Sequence, residues 1–166
     1  MGNENGGYRM KPKHFVLHEL FPPETIKKHG NDCYFLLDVN LMITIDAIHD
    51  LFPGSVMIAN TWGMIKESII RYGTYTYRGY RPVGCGVGKP SGAHYAGKAL
   101  DFDVWRGTKK LSAEYVREII IENRAKLPHL KGLEESDWLH VDVMERKGQP
   151  KDKICVFDVN NNWRYI

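Results

Sequence analysis

Three side chains in this sequence have the types and spacing to hold a divalent metal. His94 and Asp101 bracket the segment His94-Tyr95-Ala96-Gly97-Lys98-Ala99-Leu100-Asp101, and His140 lies within Asp137-Trp138-Leu139-His140-Val141-Asp142-Val143. Two imidazoles and one carboxylate make three protein ligands. A catalytic zinc site uses that number and keeps a fourth position for water. A donor set of nitrogen and oxygen alone also suits manganese or cobalt.

Two strands must position these groups. Along Ala99 to Trp105, Leu100, Phe102 and Val104 point one way and Asp101, Asp103 and Trp105 the other, because successive strand residues face opposite sides. Along Trp138 to Val143, Leu139, Val141 and Val143 share one face, and Trp138, His140 and Asp142 share the opposite face. If the two strands pair, Asp101 and His140 meet on the polar side of a sheet whose other side is apolar. His94 belongs to the loop entering the first strand, and Gly97 and Ala99 let that loop fold back closely. Half-exposed antiparallel strands also alternate in this way without any metal, so the pattern alone does not fix the register. The other five histidines, His14, His18, His29, His49 and His129, have no comparable setting and read as surface or core-edge residues.

The remaining elements follow from periodicity and punctuation. A short helix is predicted from Pro23 to a stop near Gly30. A second runs from Asn40 to Phe52, with Leu41, Ile45 and Ile48 recurring at helical steps before Pro53-Gly54. Ser55 to Ala59 reads as a buried strand. A helix from Thr61 to Tyr72 is expected, with Gly73 beyond its end. Thr74 to Pro90, rich in Gly, Tyr and Pro, reads as an ordered loop. Ser112 caps a predicted helix over Ala113 to Ala125. The C-terminus reads as a hairpin of Lys153–Phe157 and Trp163–Ile166 joined across Asn160, Asn161 and Asn162. Residues 1–12 read as a mobile arm and 13–166 as one domain.

Composition narrows the function classes. The 166 residues are 43% hydrophobic and 26% charged, in the ordinary globular range. No apolar run approaches the roughly 20 residues of a membrane helix. The first residues lack the apolar core of a signal peptide, so a cytoplasmic protein is expected as synthesised. Net charge is +3, and Lys11, Lys13, Lys27 and Lys28 are too few to form a nucleic-acid stripe. Cys33, Cys85 and Cys155 form no Cys-x-x-Cys pair and read as reduced thiols.

At its two His-bearing segments the chain resembles the zinc D,D-peptidase superfamily. That superfamily includes D-alanyl-D-alanine carboxypeptidases, related dipeptidases and bacteriophage endolysins that cut the L-alanyl-D-glutamate bond of peptidoglycan. The family pattern is Ser-x-His-x-x-Gly-x-Ala-x-Asp, followed later by an acidic residue, two positions and His. His94, Gly97, Ala99 and Asp101 fit the first part, Asp137 and His140 the second, and Gly79-Tyr80-Arg81 resembles the segment that often precedes them. Ser91 stands one residue further from His94 than the family spacing, and Asp137 occupies a position where many members carry Glu. Thr61 to Arg78 looks like an insertion.

The resemblance implies an α+β fold of the hedgehog/D,D-peptidase type, in which a small antiparallel sheet carries the zinc site and packs against helices. It implies zinc on His94, Asp101 and His140, Asp137 as general base, and Arg81 on a substrate carboxylate or developing oxyanion. Glu134 and Glu135 compete for the role of Asp137. Asp142 or Asp103 would orient a ligand histidine, and Trp138 and Tyr95 would wall the cleft. The expected activity is metal-dependent hydrolysis of peptidoglycan stem peptides by a monomer, released to the cell wall if the chain is a phage lysin. The alternative is a binding or virion module that keeps the metal without the catalysis.

Overall fold

The computed structural model describes residues 10–160 and 162–166. Most of the predicted N-terminal arm lies outside them. From Pro12 on, the chain is anchored: Pro12 is buried, and the Lys13 amide donates to both oxygens of Asp46, at 3.0 and 2.9 Å.

The architecture is α+β. Short helices α1 (Leu17–Leu20) and α2 (Pro23–His29) lead through a 3-10 stretch, Gly30–Leu36, into α3 (Val39–Asp50). Asp38 caps α3 by accepting from the Asn40 amide at 2.9 Å, and Leu41, Ile45 and Ile48 are fully buried along one stripe. Strand β1 (Val56–Ile58) follows the Pro53-Gly54 stop, and α4 (Lys66–Tyr72) follows β1. The expected helix from Thr61 therefore starts five residues late. The Thr61 amide donates to the Tyr75 carbonyl at 2.9 Å, the Thr61 hydroxyl accepts from the Tyr75 amide at 2.8 Å, and Gly63 takes φ +76°. A positive φ interrupts a helix.

The remaining elements are β2 (Ala99–Arg106), β3 (Lys109–Lys110), α5 (Ala113–Glu122), β4 (Gly132–Glu135), β5 (Leu139–Asp142), β6 (Cys155–Asp158) and β7 (Trp163–Tyr165). Helix α5 ends at Glu122, short of the expected Ala125, where the Asn123 side chain bonds back to the Ile119 carbonyl at 2.9 Å and a 3-10 turn begins. The C-terminal hairpin forms as β6 and β7. Asn161, in its predicted turn, lies outside the described residues. No helix of the described residues is long and apolar enough to cross a membrane.

The sheet is larger than the small antiparallel one expected. Its order is β1-β2-β5-β4-β6-β7, with β3 on β2, and the β4–β6 pair is parallel. Strand β4 is not legible from Gly132-Leu133-Glu134-Glu135, which carries one apolar residue. It forms because β5 and β6 pair with it from either side. Leu100, Val141, Leu133 and Val156 run across one face with no exposure and pack under α3 and α5. The opposite face carries Asp101, His140, Phe157 and Trp163.

Candidate metal centre

The register of β2 against β5 places Asp101 directly opposite His140. Their Oδ1 and Nδ1 atoms are 2.7 Å apart. His94 reaches the same point from the loop before β2, with Nε2 3.1 Å from Asp101 Oδ1 and 3.2 Å from His140 Nδ1. Ligands 2.0–2.1 Å from a tetrahedral metal lie about 3.3 Å from one another. The three inward atoms already have nearly that spacing, and all three residues are buried.

The loop holding His94 is built to close tolerances. Gly97 sits at φ +66°, and a Cβ there would fall 1.9 Å from the Leu36 carbonyl oxygen. The Gly97 carbonyl in turn accepts from the Asp38 amide at 2.9 Å, tying the loop to the start of α3. Upstream, a Cβ on Gly79 would lie 2.2 Å from the Leu20 carbonyl oxygen. Gly79 can therefore press against α1 and offer its own carbonyl to His94 Nδ1 at 2.8 Å.

That last bond sets the tautomer. A carbonyl only accepts, so His94 donates Nδ1–H outward and presents a bare Nε2 inward. His140 uses the opposite nitrogens: Nδ1 faces inward, and Nε2 lies 3.4 Å from Asp142 Oδ2 on the far side. Asp142 is itself fixed by Arg146, which donates from Nη1 to Oδ1 at 3.1 Å and from Nη2 to Oδ2 at 2.7 Å. A Cβ on Gly132 would sit 2.2 Å from Asp142 Oδ2, so the neighbouring strand leaves room for this pair only as glycine. Each imidazole thus has an acceptor on its far side, the support that a metal-bound histidine usually has. Asp142 fills the orienting role. Asp103 instead accepts from Arg78 at 2.8 Å and Lys110 at 2.7 Å.

The electrostatics of the three groups are set by burial and by their mutual pairing. Burial alone would raise the Asp101 pKa, but His94 and His140 hold its carboxyl well below the usual range. Burial pushes His94 down and favours its neutral form, partly offset by Asp101. Burial would also lower His140, but Asp101 and Asp142 on its two sides push it up to about 10. One proton on His140 therefore adds to the positive charge that Arg81 and Arg146 bring to the same two carboxylates.

Arg81 reaches the centre from behind Asp101. Nη2 donates to Asp101 Oδ2 at 3.0 Å and Nε to the Tyr77 carbonyl at 2.7 Å. Tyr77 adopts φ +57°, an unusual backbone for a bulky residue, and its carbonyl is the one Arg81 takes. The Nε–Nη2 edge is occupied, and Nη1 lies against Gly88, where a Cβ would come within 2.8 Å of it.

The expected base, Asp137, is exposed in the β4–β5 turn. It lines a groove of about 1000 Å³ with the start of α5 and the end of the β2–β3 hairpin. Glu134 is the carboxylate on the His140 side of the sheet, two residues beyond Gly132. It is half-buried, and burial raises its pKa against the lowering pull of His140. Glu135 points to the other face and pairs with Arg164 at 2.7 Å. Ser91 is exposed, Trp138 is 39% exposed at the turn, and the Tyr95 hydroxyl lies 3.2 Å from Cys85 Sγ.

Arg146 and Gly132 had no visible sequence signal, and although Gly79 stood in the Gly79-Tyr80-Arg81 segment, nothing there marked its carbonyl as the partner of His94. The first acts through a turn after β5, the second through an inter-strand gap, and the third is backbone. Among the described residues a second His/His/Asp group exists, His14, His49 and Asp50. Its imidazoles are stacked 3.9 Å apart and nearly parallel, so their lone pairs run side by side and do not converge. These residues pin the N-terminal segment to α3. Compared with known proteins, the chain matches no family model, no curated protein and no solved structure.

Proposed function

We propose that this chain is a metal-dependent peptidase of the zinc D,D-peptidase type that hydrolyses a peptide bond in peptidoglycan stem peptides. The observation that carries the reading is the convergence of His94 Nε2, Asp101 Oδ1 and His140 Nδ1 within 3.2 Å of one another, each imidazole oriented from behind. The donor set fits zinc: three buried N/O groups, the number of protein ligands a catalytic zinc site uses. A divalent cation held there supplies a Lewis acid for the scissile carbonyl and an activated water near neutral pH.

The chain's own residues supply the rest. Arg81 keeps Asp101 Oδ2 engaged so that Oδ1 faces inward, and its Nη1 is the guanidinium nitrogen left for a substrate oxygen. Proton transfer falls to a carboxylate of the β4–β5 segment. Asp137 has the family spacing to His140, and Glu134 has the placement on the sheet face and the raised pKa that suits a general base. The peptide specificity rests on the two-motif resemblance.

The test is digestion of purified peptidoglycan by the zinc-loaded protein, with mass spectrometry of the released ends. New termini at one stem-peptide bond, abolished by chelation and restored by zinc, support the reading and name the bond. Stoichiometric zinc with intact peptidoglycan would move the assignment to a metal-containing binding module.

A further inference from the structure

The ladder between β4 and β5 ends beside the metal centre. Its cross-strand pairs are Gly132 with Asp142 and Leu133 with Val141, and it goes no further. The next rung would set Glu134 against His140, which β2 holds from its other side through Asp101. Glu134 and Glu135 keep their pairing with β6, but from Glu134 to Trp138 the backbone runs free of β5. This segment carries the carboxylates that compete to be the base, Glu134 near its start and Asp137 in its turn.

What closes the segment is a side chain from α5. Arg117 reaches across with one guanidinium nitrogen. Its Nη1 donates to the Ser136 carbonyl at 2.9 Å and to the Glu134 carbonyl at 3.1 Å, with the Trp138 carbonyl at 3.5 Å. That nitrogen carries two hydrogens, so the two shorter bonds are the ones it makes in full. The Ser136 hydroxyl donates to the Trp138 carbonyl at 3.0 Å and completes the set. Three alternate carbonyls thus converge on one cation. Backbone carbonyls outside a ladder need another donor, and the half-buried Arg117 supplies it. Ser136 and Trp138 flank Asp137, so the backbone is held on both sides of that carboxylate. Arg117 is itself well anchored, because Val116 and Ile120 fix α5 in the core.

We propose that Arg117 is a positioning residue for the proton-transfer step: by gathering the Glu134, Ser136 and Trp138 carbonyls it fixes the carboxylates of the β4–β5 segment relative to His94, Asp101 and His140. This rests on the peptidase reading and holds whichever carboxylate carries the proton. The three metal-binding side chains come from β2, β5 and the loop before β2, so Arg117 acts on the rate without acting on the metal. A misplacement of about 1 Å in a reacting group costs up to about 100-fold in rate.

The experiment compares wild type, Arg117→Lys and Arg117→Ala, each loaded with zinc. Hydrolysis is measured on fragments released from purified peptidoglycan by a glycosidase, and backbone NMR relaxation is recorded on the same proteins. In Arg117→Ala the order parameters of Ser136, Asp137 and Trp138 are expected to fall below about 0.6 from a rigid value near 0.85. Its kcat is expected to drop about 10- to 100-fold with KM within about twofold, and one zinc per chain is retained. Arg117→Lys keeps a cationic donor and is expected to lie between the two, which gives a readout should the alanine variant not fold. A turn as ordered as in wild type, or an unchanged kcat in an active enzyme, would overturn the proposal and leave the peptidase reading intact. Loss of zinc together with kcat in both variants would also overturn it, since Arg117 would then support the fold at large. A wild type that cleaves no fragment, whatever the turn does, would sink the peptidase reading and the proposal with it.

Discussion

Asp101 and His140 are cross-strand partners on β2 and β5, with Oδ1 and Nδ1 2.7 Å apart. A one-residue slip of either strand would send one of them into the apolar core. Burial of Leu100 and Val141 on the other face therefore fixes the Asp101–His140 geometry as well as the fold.

Metal binding should release about one proton. His140 is protonated up to about pH 10 in the metal-free protein, and a ligating Nδ1 must lose that proton. The apparent affinity is expected to rise about tenfold per pH unit between pH 6 and 8. Calorimetry in buffers of different ionisation enthalpy measures the released proton directly. An affinity flat across that range would contradict the assigned charge state.

The same shifts give the metal-free protein a defined pH dependence. The raised pKa of His140 contributes stability that is full below its ordinary value near 6.5 and is lost as pH rises toward 10. The depressed pKa of Asp101 contributes stability present above the usual carboxylate range and lost in acid. Denaturant melts in chelator should weaken from pH 7 to 9, and zinc should abolish that decline.

Support from behind the ligands should be worth one to two decades of affinity. Arg146→Ala removes both bonds to Asp142, and Gly132→Ala drives a methyl into the same pair. Each is expected to weaken zinc binding about 10- to 100-fold, with the secondary structure retained. Competition titration against a chromophoric chelator reads this out.

Gly97→Ala should fail for a different reason. The new methyl meets the Leu36 carbonyl oxygen at 1.9 Å, and the backbone is left-handed. Overpacking and the left-handed penalty together cost about 3 kcal/mol or more. Chemical denaturation should show that loss in the metal-free protein as well, which separates it from an effect on the centre.

The proton carrier can be identified by two amide variants. If Glu134 acts as base, Glu134→Gln lowers kcat at least about 100-fold and Asp137→Asn lowers it little. If Asp137 does, the order reverses. Zinc content should be unchanged in both, since neither carboxylate belongs to the converging set.

The meeting of Asp101 and His140 was legible in part: alternation gives the face each occupies, the pattern alone left the register open, and the grouping with His94 came from the two-motif resemblance. Helices α3 and α5 were legible from their apolar stripes, the Pro53-Gly54 stop and the Ser112 cap, while the Asp38 cap of α3 emerged only in the structure. Strand β4 was not, because Glu134 and Glu135 carry no apolar pattern and its pairing is supplied by β5 and β6. The late start of α4 followed from Thr61 pairing with Tyr75, a contact between residues 14 apart that no local propensity reports. Arg81 is expected from the resemblance on a substrate carboxylate or developing oxyanion, whereas its Nε–Nη2 edge is held by Tyr77 and Asp101, a relationship visible only once the loop is folded.

The most direct test of the central claim is metal content by mass spectrometry on wild type, His140→Ala and Asp101→Asn, each purified without chelator, beside hydrolysis of peptidoglycan. One zinc per wild-type chain, lost from both variants together with cleavage, is the predicted result. A wild type that binds no metal at saturating zinc, or variants that keep full zinc and full cleavage, would contradict the account.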